Sequence, residues 1–194
     1  PPLAAQGVQP DDAWGFTFFD RRSCRRQIEA LRHDGIYTPP RYEAMCADLD
    51  AIAAMGCNML RQHVKVESQL FYAECDKRGI LVWQDMPSGE TQKDPANFER
   101  ELRAMIATHE QFPSIVMWVV FNEGWGQHDT QRYVDLVRQL DPTRWIGNAS
   151  GWTDQKCGDV IDLHSYPGPA MLPPEAQRAS VLGEYGGLGL PIEG

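Results

Sequence analysis

From about residue 40 onward, the chain alternates between short apolar runs and longer segments in which apolar residues recur at helical spacing. The apolar runs are Cys57–Val64, Ile80–Trp83, Ile115–Phe121, Trp145–Asn148, Val160–Leu163 and Val181–Gly183. Continuous apolar runs of this length are typical of strands that are buried on both faces, as in a parallel sheet covered by helices. The alternation therefore predicts an α/β fold with parallel strands and helices packed outside them.

The intervening segments predict helices over residues 42–52, 68–79, 94–106 and 129–140. In the first, Tyr42, Met45, Leu49 and Ile52 recur at the spacing of one helix face. Ser68 suits a helix N-cap and Gly79 suits a helix C-terminus. Pro95 suits the first turn of the third helix.

Polar or aromatic side chains follow most of the predicted strands, at the point where each strand ends. They are Arg61, His63, Asp85, Asn122, Glu123, Trp152, His164, Tyr166 and Glu184. In a closed parallel barrel these strand ends converge on one mouth, where active sites lie. The alternative, a doubly wound sheet that binds a dinucleotide, has no support because no G-x-G-x-x-G follows a strand. We therefore predict a (β/α)8 TIM barrel.

The number of predicted strands is too small for a complete barrel. A full barrel takes about 250 residues and eight strands, whereas this chain has 194 residues and shows six strands. We expect an incomplete barrel in which strands two to seven are clear, the first is altered and the eighth is missing. Residues 1–36 are expected to be a poorly defined N-terminal segment, and residues 37–194 a partial TIM-barrel catalytic domain.

Two glutamates that directly follow apolar runs, Glu123 and Glu184, are candidates for catalysis. Glycoside hydrolysis with retention uses two carboxyl groups about 5–5.5 Å apart, one as acid/base and one as nucleophile. Asn122 is a candidate for binding a sugar hydroxyl, while Arg61 and Tyr166 are candidates for holding one carboxylate ionised. Burial in a structural ion pair is the alternative for either glutamate taken alone.

Five motifs resemble the barrel domain of glycoside hydrolase family 2, which contains β-galactosidases, β-glucuronidases and β-mannosidases. They are Arg61-Gln62-His63, Trp83-Gln84-Asp85-Met86-Pro87, Phe121-Asn122-Glu123-Gly124-Trp125-Gly126, His164-Ser165-Tyr166-Pro167 and Gly183-Glu184-Tyr185-Gly186-Gly187. The resemblance implies that Glu123 is the acid/base and Glu184 the nucleophile of a retaining, β-galactosidase-like enzyme. It also implies a sugar subsite lined by Arg61, His63, Asp85, Asn122, His164 and Tyr166. We expect Trp152, near a strand end, to stack on a sugar ring.

Two other functions remain open at this point. One has His63, Asp85 and His164 as ligands of a metal-dependent barrel hydrolase, although the dispersed positions of the histidines disfavour this function. The other is an inactive fragment or a non-catalytic sugar-binding remnant of such an enzyme, because six strands leave sheet edges unpaired. Our expectation is a β-glycoside hydrolase that uses neither a cofactor nor a metal.

Composition restricts the partners. The net charge of −9 disfavours a nucleic-acid groove, which needs clustered cations. No apolar run approaches the roughly 18 residues of a membrane span, and no signal peptide is recognised. We expect a soluble protein that binds a β-glycoside, with the bacterial cytoplasm, the periplasm and secretion all open. The β-sandwich domains or flanking barrel segments typical of the family are expected in a parent protein, and an oligomer is possible.

Overall fold

The computed structural model describes residues 41–187 of the 194-residue chain. Helices and strands alternate along it, as the sequence predicts. In chain order the elements are α1 (Tyr42–Ala54), β1 (Met59–Gln62), α2 (Gln69–Arg78), β2 (Leu81–Asp85), a 3-10 turn (Thr91–Lys93), α3 (Pro95–His109), β3 (Ile115–Asn122), α4 (Thr130–Leu140), β4 (Trp145–Ser150), β5 (Val160–Ser165) and β6 (Ala179–Tyr185).

The strands pair in parallel and in the order in which they occur in the chain. Strands β1 to β4 form one sheet in the order β1-β2-β3-β4, and β5 pairs with β6. β4 and β5 lie in contact, and an antiparallel bridge joins Gly147 to Gly158. This order is compatible with part of a (β/α) barrel. The expectations for an altered first strand and a missing eighth strand concern residues outside the described part of the chain.

Apolar side chains bury both faces of the strands, which explains why the runs are continuously apolar. On one face, Val82 and Val120 pack in the cluster that includes helix residues such as Leu49 and Phe98. On the other face, Trp83, Met117 and Val119 pack with residues of neighbouring strands. Since side chains alternate across a strand, a run buried on both sides cannot show the polar–apolar alternation of a half-exposed strand.

Local backbone chemistry explains the N-terminus of α3 and the C-terminus of α2. Asp94 accepts a hydrogen bond from the backbone N–H of Asn97 at 3.0 Å, and Pro95 occupies the first turn of α3. Gly79 ends α2 in the left-handed conformation, with φ of 68°. Ser68 stands at the N-cap of α2, but its side chain makes no capping hydrogen bond. The predicted side-chain cap at Ser68 is therefore wrong, although the helix begins where expected.

Candidate active site

Every polar site residue predicted from the sequence lies at the carboxyl ends of the strands, and most are joined by hydrogen bonds. Glu123 directly follows β3 and Glu184 lies near the end of β6. One carboxylate oxygen of Glu123, one of Glu184 and one ring nitrogen of His164 all lie within 4.8 Å of one another. The strand ends therefore bring together two carboxyl groups that are 61 positions apart in the sequence (184 − 123).

Donors from the ends of β1 and β5 surround Glu184. Arg61 Nη1 donates to Glu184 Oε1 at 2.9 Å, and the Tyr166 hydroxyl donates to Oε2. His63 Nε2 lies 3.6 Å from Oε1. Burial by itself would raise the pKa of Glu184, but the charge of Arg61, the nearby His164 and the Tyr166 hydrogen bond together lower it below its ordinary value. Glu184 is thus held as a carboxylate.

The buried side chain of Arg61 donates hydrogen bonds to several other side chains and holds them in place. Its guanidinium donates to Asp85 through Nε at 3.0 Å and through Nη2 at 2.7 Å, and Nη2 also donates to Asn122 Oδ1 at 2.8 Å. The side chains of Arg61 and Asp85 are only 4% and 1% exposed. This differs from the sequence expectation that both residues line a sugar subsite, because their polar atoms are engaged within the protein. Asp85 also accepts from Val64 N–H at 3.1 Å.

Glu123 is held by its backbone and by His164. It adopts φ of 51°, in the left-handed region that a residue with a side chain rarely occupies. Its N–H donates to Ser150 O at 2.7 Å, so the end of β4 fixes the turn. Its Oε1 lies 2.8 Å from His164 Nδ1, and Trp125 Nε1 donates to Oε2 at 3.4 Å. Such backbone outliers cluster at functional sites.

Exposed aromatic rings stand beside the carboxyl pair. Trp125 is 61% exposed and Trp152 is 58% exposed. Trp152 also donates from Nε1 to His164 O at 3.4 Å. Trp83, in β2, is buried in the strand core and is not available to a ligand. Trp118, in the middle of β3, is also buried.

Within residues 41–187, one group of side chains has the spacing of a metal site: Glu123, His164 and Glu184. The set considered from the sequence, His63, Asp85 and His164, is not brought together as a ligand group. Asp85 faces Arg61, and His63 faces Glu184. In the Glu123 group, Arg61 and Tyr166 already donate to Glu184, and His164 Nδ1 already contacts Glu123. A metal would have to replace these contacts.

Two residues that sequence analysis did not single out contact His164 or its neighbours. Ser150, the last residue of β4, places Oγ 2.8 Å from His164 Nε2. Asp162 lies within β5 and accepts hydrogen bonds from Ser150 Oγ and from Gly183 N–H. The sequence feature that could have identified Asp162 is its position as an acidic residue inside the apolar run Val160–Leu163. Its position two residues before His164 puts it on the same face of the strand.

Comparisons with known proteins find β-glycosidases among the relatives of this chain. The chain is 32% identical over 143 residues to a β-glucuronidase of Bacteroides fragilis, a match that covers 66% of this chain and 20% of that protein. It is 25% identical over 175 residues to a β-galactosidase of Psychromonas ingrahamii, covering 74% of this chain and 17% of that protein. The relatives are β-glycosidases.

A solved structure of a glycoside hydrolase resembles the fold of this chain. The GH2 β-galacturonidase of Eisenbergiella tayi superposes with a TM-score of 0.55 and 26% identity, covering 65% of this chain and 25% of that one. The matches to the two curated relatives cover about a fifth of the length of each relative. In the part of the chain that the structure describes, no helix has both the length and the apolar character needed to cross a membrane.

One family model gives a different match, and the fold contradicts it. The model, described as a PQQ-type glucose/ethanol/alcohol dehydrogenase β-propeller domain, matches residues 1–127. Residues 41–127 form α1 to α3 and β1 to β3, and those strands pair in parallel. A propeller is built from blades of four-stranded antiparallel sheet. The match therefore does not place these residues in a propeller.

Proposed function

We propose that the protein is a retaining β-glycoside hydrolase, β-galactosidase-like, with Glu123 as acid/base and Glu184 as nucleophile. The observation that carries the proposal is that carboxylate oxygens of the two residues lie within 4.8 Å of each other. Retaining enzymes separate their carboxyl groups by about 5–5.5 Å, whereas inverting enzymes need about 6.5–9.5 Å to admit a water between the sugar and the base. The glycosidase relatives support the same class of reaction.

The first chemical step is a displacement at the anomeric carbon. A carboxylate oxygen of Glu184 attacks that carbon, the bond to the leaving oxygen breaks, and the leaving oxygen takes the proton of Glu123. The lowered pKa of Glu184 suits this role, because the nucleophile must be ionised at the pH at which the acid is protonated. In the second step, Glu123 removes a proton from water, which attacks the anomeric carbon and releases Glu184.

The surrounding groups divide into positioning and binding roles. Arg61 and Asp85 are covered, so they orient Glu184 and Asn122 without touching the sugar. Arg61 occupies Asn122 Oδ1, which leaves the amide N–H groups of Asn122 to donate to a sugar hydroxyl. His63, 53% exposed, and Tyr166 stand on the open side of Glu184. Trp152 offers an exposed ring for stacking on a sugar.

Product stereochemistry tests the proposal. The purified chain, beside a version extended by its genomic flanks, is assayed on aryl β-galactosides, β-glucuronides and β-mannosides. We expect hydrolysis of at least one sugar, with the β-anomer as the first product seen by proton NMR. An α-anomer as first product refutes retention. Failure of both versions on every sugar favours the remnant or sugar-binding alternative over an enzyme.

Two substitutions assign the roles of the glutamates. In Glu123→Ala, azide is expected to restore turnover and to give the β-glycosyl azide, because the glycosyl-enzyme still forms and azide needs no general base. In Glu184→Ala, azide is expected to attack from the vacant side and to give the α-glycosyl azide. The opposite pair of products would exchange the two assignments. Exhaustive chelation is expected to leave activity unchanged, and a loss restored by one divalent ion would favour the metal-dependent alternative.

A further inference from the structure

The turn that follows Glu123 carries a large aromatic ring that is open to solvent. Trp125 lies two residues after Glu123 and is 61% exposed, the largest fraction among the exposed large hydrophobic residues of the described chain. A single exposed apolar side chain is common on protein surfaces, so exposure alone does not indicate a function. The backbone around Trp125 and its contact with Glu123 supply the further evidence.

Hydrogen bonds within the turn fix the backbone on both sides of Trp125. Trp125 N–H donates to Asn122 O at 2.9 Å, and Gln127 N–H donates to Gly124 O at 3.1 Å. Gly124 and Gly126, which flank Trp125, have φ of 78° and 68°. Residues with a side chain rarely adopt such values, so this path of the backbone depends on glycine.

Two neighbouring loops hold the same turn from outside. A Cβ at position 126 would stand 1.8 Å from Gly89 O, and Thr91 Oγ1 donates to Gly126 O at 3.0 Å, so the turn packs against the connection between β2 and α3. Gln127 Nε2 donates at 3.1 Å to the backbone oxygen of Thr153, in the loop after β4. The Trp125 ring is therefore exposed on a fixed backbone, and a ligand that covers it orders little of the chain.

The two carboxylate oxygens of Glu123 contact different side chains. Oε1 lies 2.8 Å from His164 Nδ1. Oε2 accepts a hydrogen bond from Trp125 Nε1 at 3.4 Å, a long contact that a ligand can replace at little cost. The indole of Trp125 therefore adjoins the Glu123 carboxyl group at the oxygen that does not contact His164.

The chemistry of retention determines which part of a substrate lies beside Glu123. The nucleophile and the acid/base flank the scissile bond, and the leaving oxygen must come within hydrogen-bond distance of the acid/base to take its proton. With Glu184 as nucleophile, the group attached to the leaving oxygen extends past Glu123 and away from Glu184. The exposed ring that adjoins Glu123 is that of Trp125.

We infer that Trp125 forms the leaving-group subsite, where its ring stacks on a leaving group with a flat apolar face, either an aryl ring or the apolar face of a second sugar. This inference rests on the proposed role of Glu123 as acid/base. It gives Trp125 a different part of the substrate from Trp152, which stacks on the cleaved sugar. The contact acts in the first step only, because the leaving group has departed before water attacks the glycosyl-enzyme.

Two substrates that need no proton from Glu123 isolate the stacking contact in Trp125→Ala. Both the 2,4-dinitrophenyl β-glycoside and the β-glycosyl fluoride of the cleaved sugar have good leaving groups, but only the first has a ring. We expect kcat/KM to fall about 3- to 10-fold for the dinitrophenyl glycoside and less than about twofold for the fluoride. An equal loss for both, or a loss confined to phenyl glycosides, whose leaving group needs a proton, overturns the inference.

Two further variants separate stacking from other roles of the ring. Trp125→Phe keeps a ring but loses the N–H that contacts Glu123, so it should retain kcat/KM for the dinitrophenyl glycoside within about threefold. A loss as large as that of Trp125→Ala would assign the effect to the hydrogen bond and refute stacking. Trp145→Ala is the matched control, because Trp145 is 49% exposed but begins β4, at the end of the strand away from the site. Its kinetics should be unchanged, and a loss equal to that of Trp125→Ala would refute a specific subsite.

Calorimetric binding of uncleaved thioglycosides separates this inference from the proposed function. Phenyl 1-thio-β-glycosides should bind the natural protein about 3- to 10-fold more tightly than methyl 1-thio-β-glycosides, and Trp125→Ala should remove the difference. If it does so while no glycoside is cleaved, the stacking contact stands and the enzymatic proposal fails. If glycosides are cleaved and the difference is absent or survives in Trp125→Ala, the subsite is refuted and the enzymatic proposal stands. If the protein neither binds nor cleaves any of these sugars, both fail.

Discussion

Arg61→Gln tests the claim that one buried cation organises the site. The substitution removes the positive charge between Asp85 and Glu184, and it leaves the Asp85 carboxylate, 1% exposed, without its ion pair. Breaking a buried ion pair by removing one partner costs about 3–5 kcal/mol, because the remaining charge stays buried. For a chain of this size, about 2–4 °C is lost per kcal/mol, so the Tm should fall by about 6–20 °C.

Urea unfolding of Arg61→Gln gives the free energy, and Arg103→Gln is the matched control. Arg103 pairs with Glu99 four residues earlier on the surface of α3, with its side chain 48% exposed. An exposed pair of this kind contributes at most about 1 kcal/mol. In an Asp85→Asn background, the loss from Arg61→Gln should shrink by about 1–3 kcal/mol. The claim that Arg61 organises the site is refuted if both arginine substitutions lower the free energy of unfolding equally. It is also refuted if the loss from Arg61→Gln is unchanged in the Asp85→Asn background.

Three further predictions concern single side chains. Tyr166→Phe removes a hydrogen-bond donor to Glu184, so the pKa of Glu184 should rise. The acid limb of the pH profile of kcat/KM should then move to higher pH. An acid limb that does not move argues against this contact. Trp152→Ala should raise KM by about tenfold with little change in kcat, and a loss confined to kcat would exclude ring stacking. Because the pKa of Asp162 is raised to about 6 from 3.8, stability of the natural protein should fall by about 3 kcal/mol relative to Asp162→Asn as the pH rises from 4 past 6. Parallel urea-unfolding curves across that range would contradict it.

The fold was predictable where the apolar pattern is unambiguous. All six strands and all four helices lie where the runs and spacings placed them, because strands buried on both faces and helices with one apolar face leave different patterns. The strand ends also predicted which polar residues would meet. Side-chain contacts and burial were harder to predict from the sequence. No pattern showed that Ser68 would fail to cap, or that His109 would be buried with Nδ1 2.8 Å from Met105 O.

Residues within the strands were harder to assign than residues at their ends. Asp162 lies inside an apolar run, and its importance follows only from contacts with Ser150 and Gly183, which come from other strands. The covered state of Arg61 likewise depends on Asp85 and Asn122, far away in sequence. Spacing within one segment cannot reveal such contacts, because register between neighbouring strands determines them.

Mechanism-based labelling tests the central claim, the assignment of Glu184 as nucleophile, most directly. The protein is incubated with 2-deoxy-2-fluoro-β-glycosyl fluorides of several sugars, digested and analysed by mass spectrometry. The fluorine at C2 slows both steps, and the fluoride leaving group keeps the first fast enough for the glycosyl-enzyme to accumulate. The account predicts one covalent sugar on the peptide that contains Glu184, and none in Glu184→Gln. A label on another residue, or no label with any sugar while turnover persists, would contradict it.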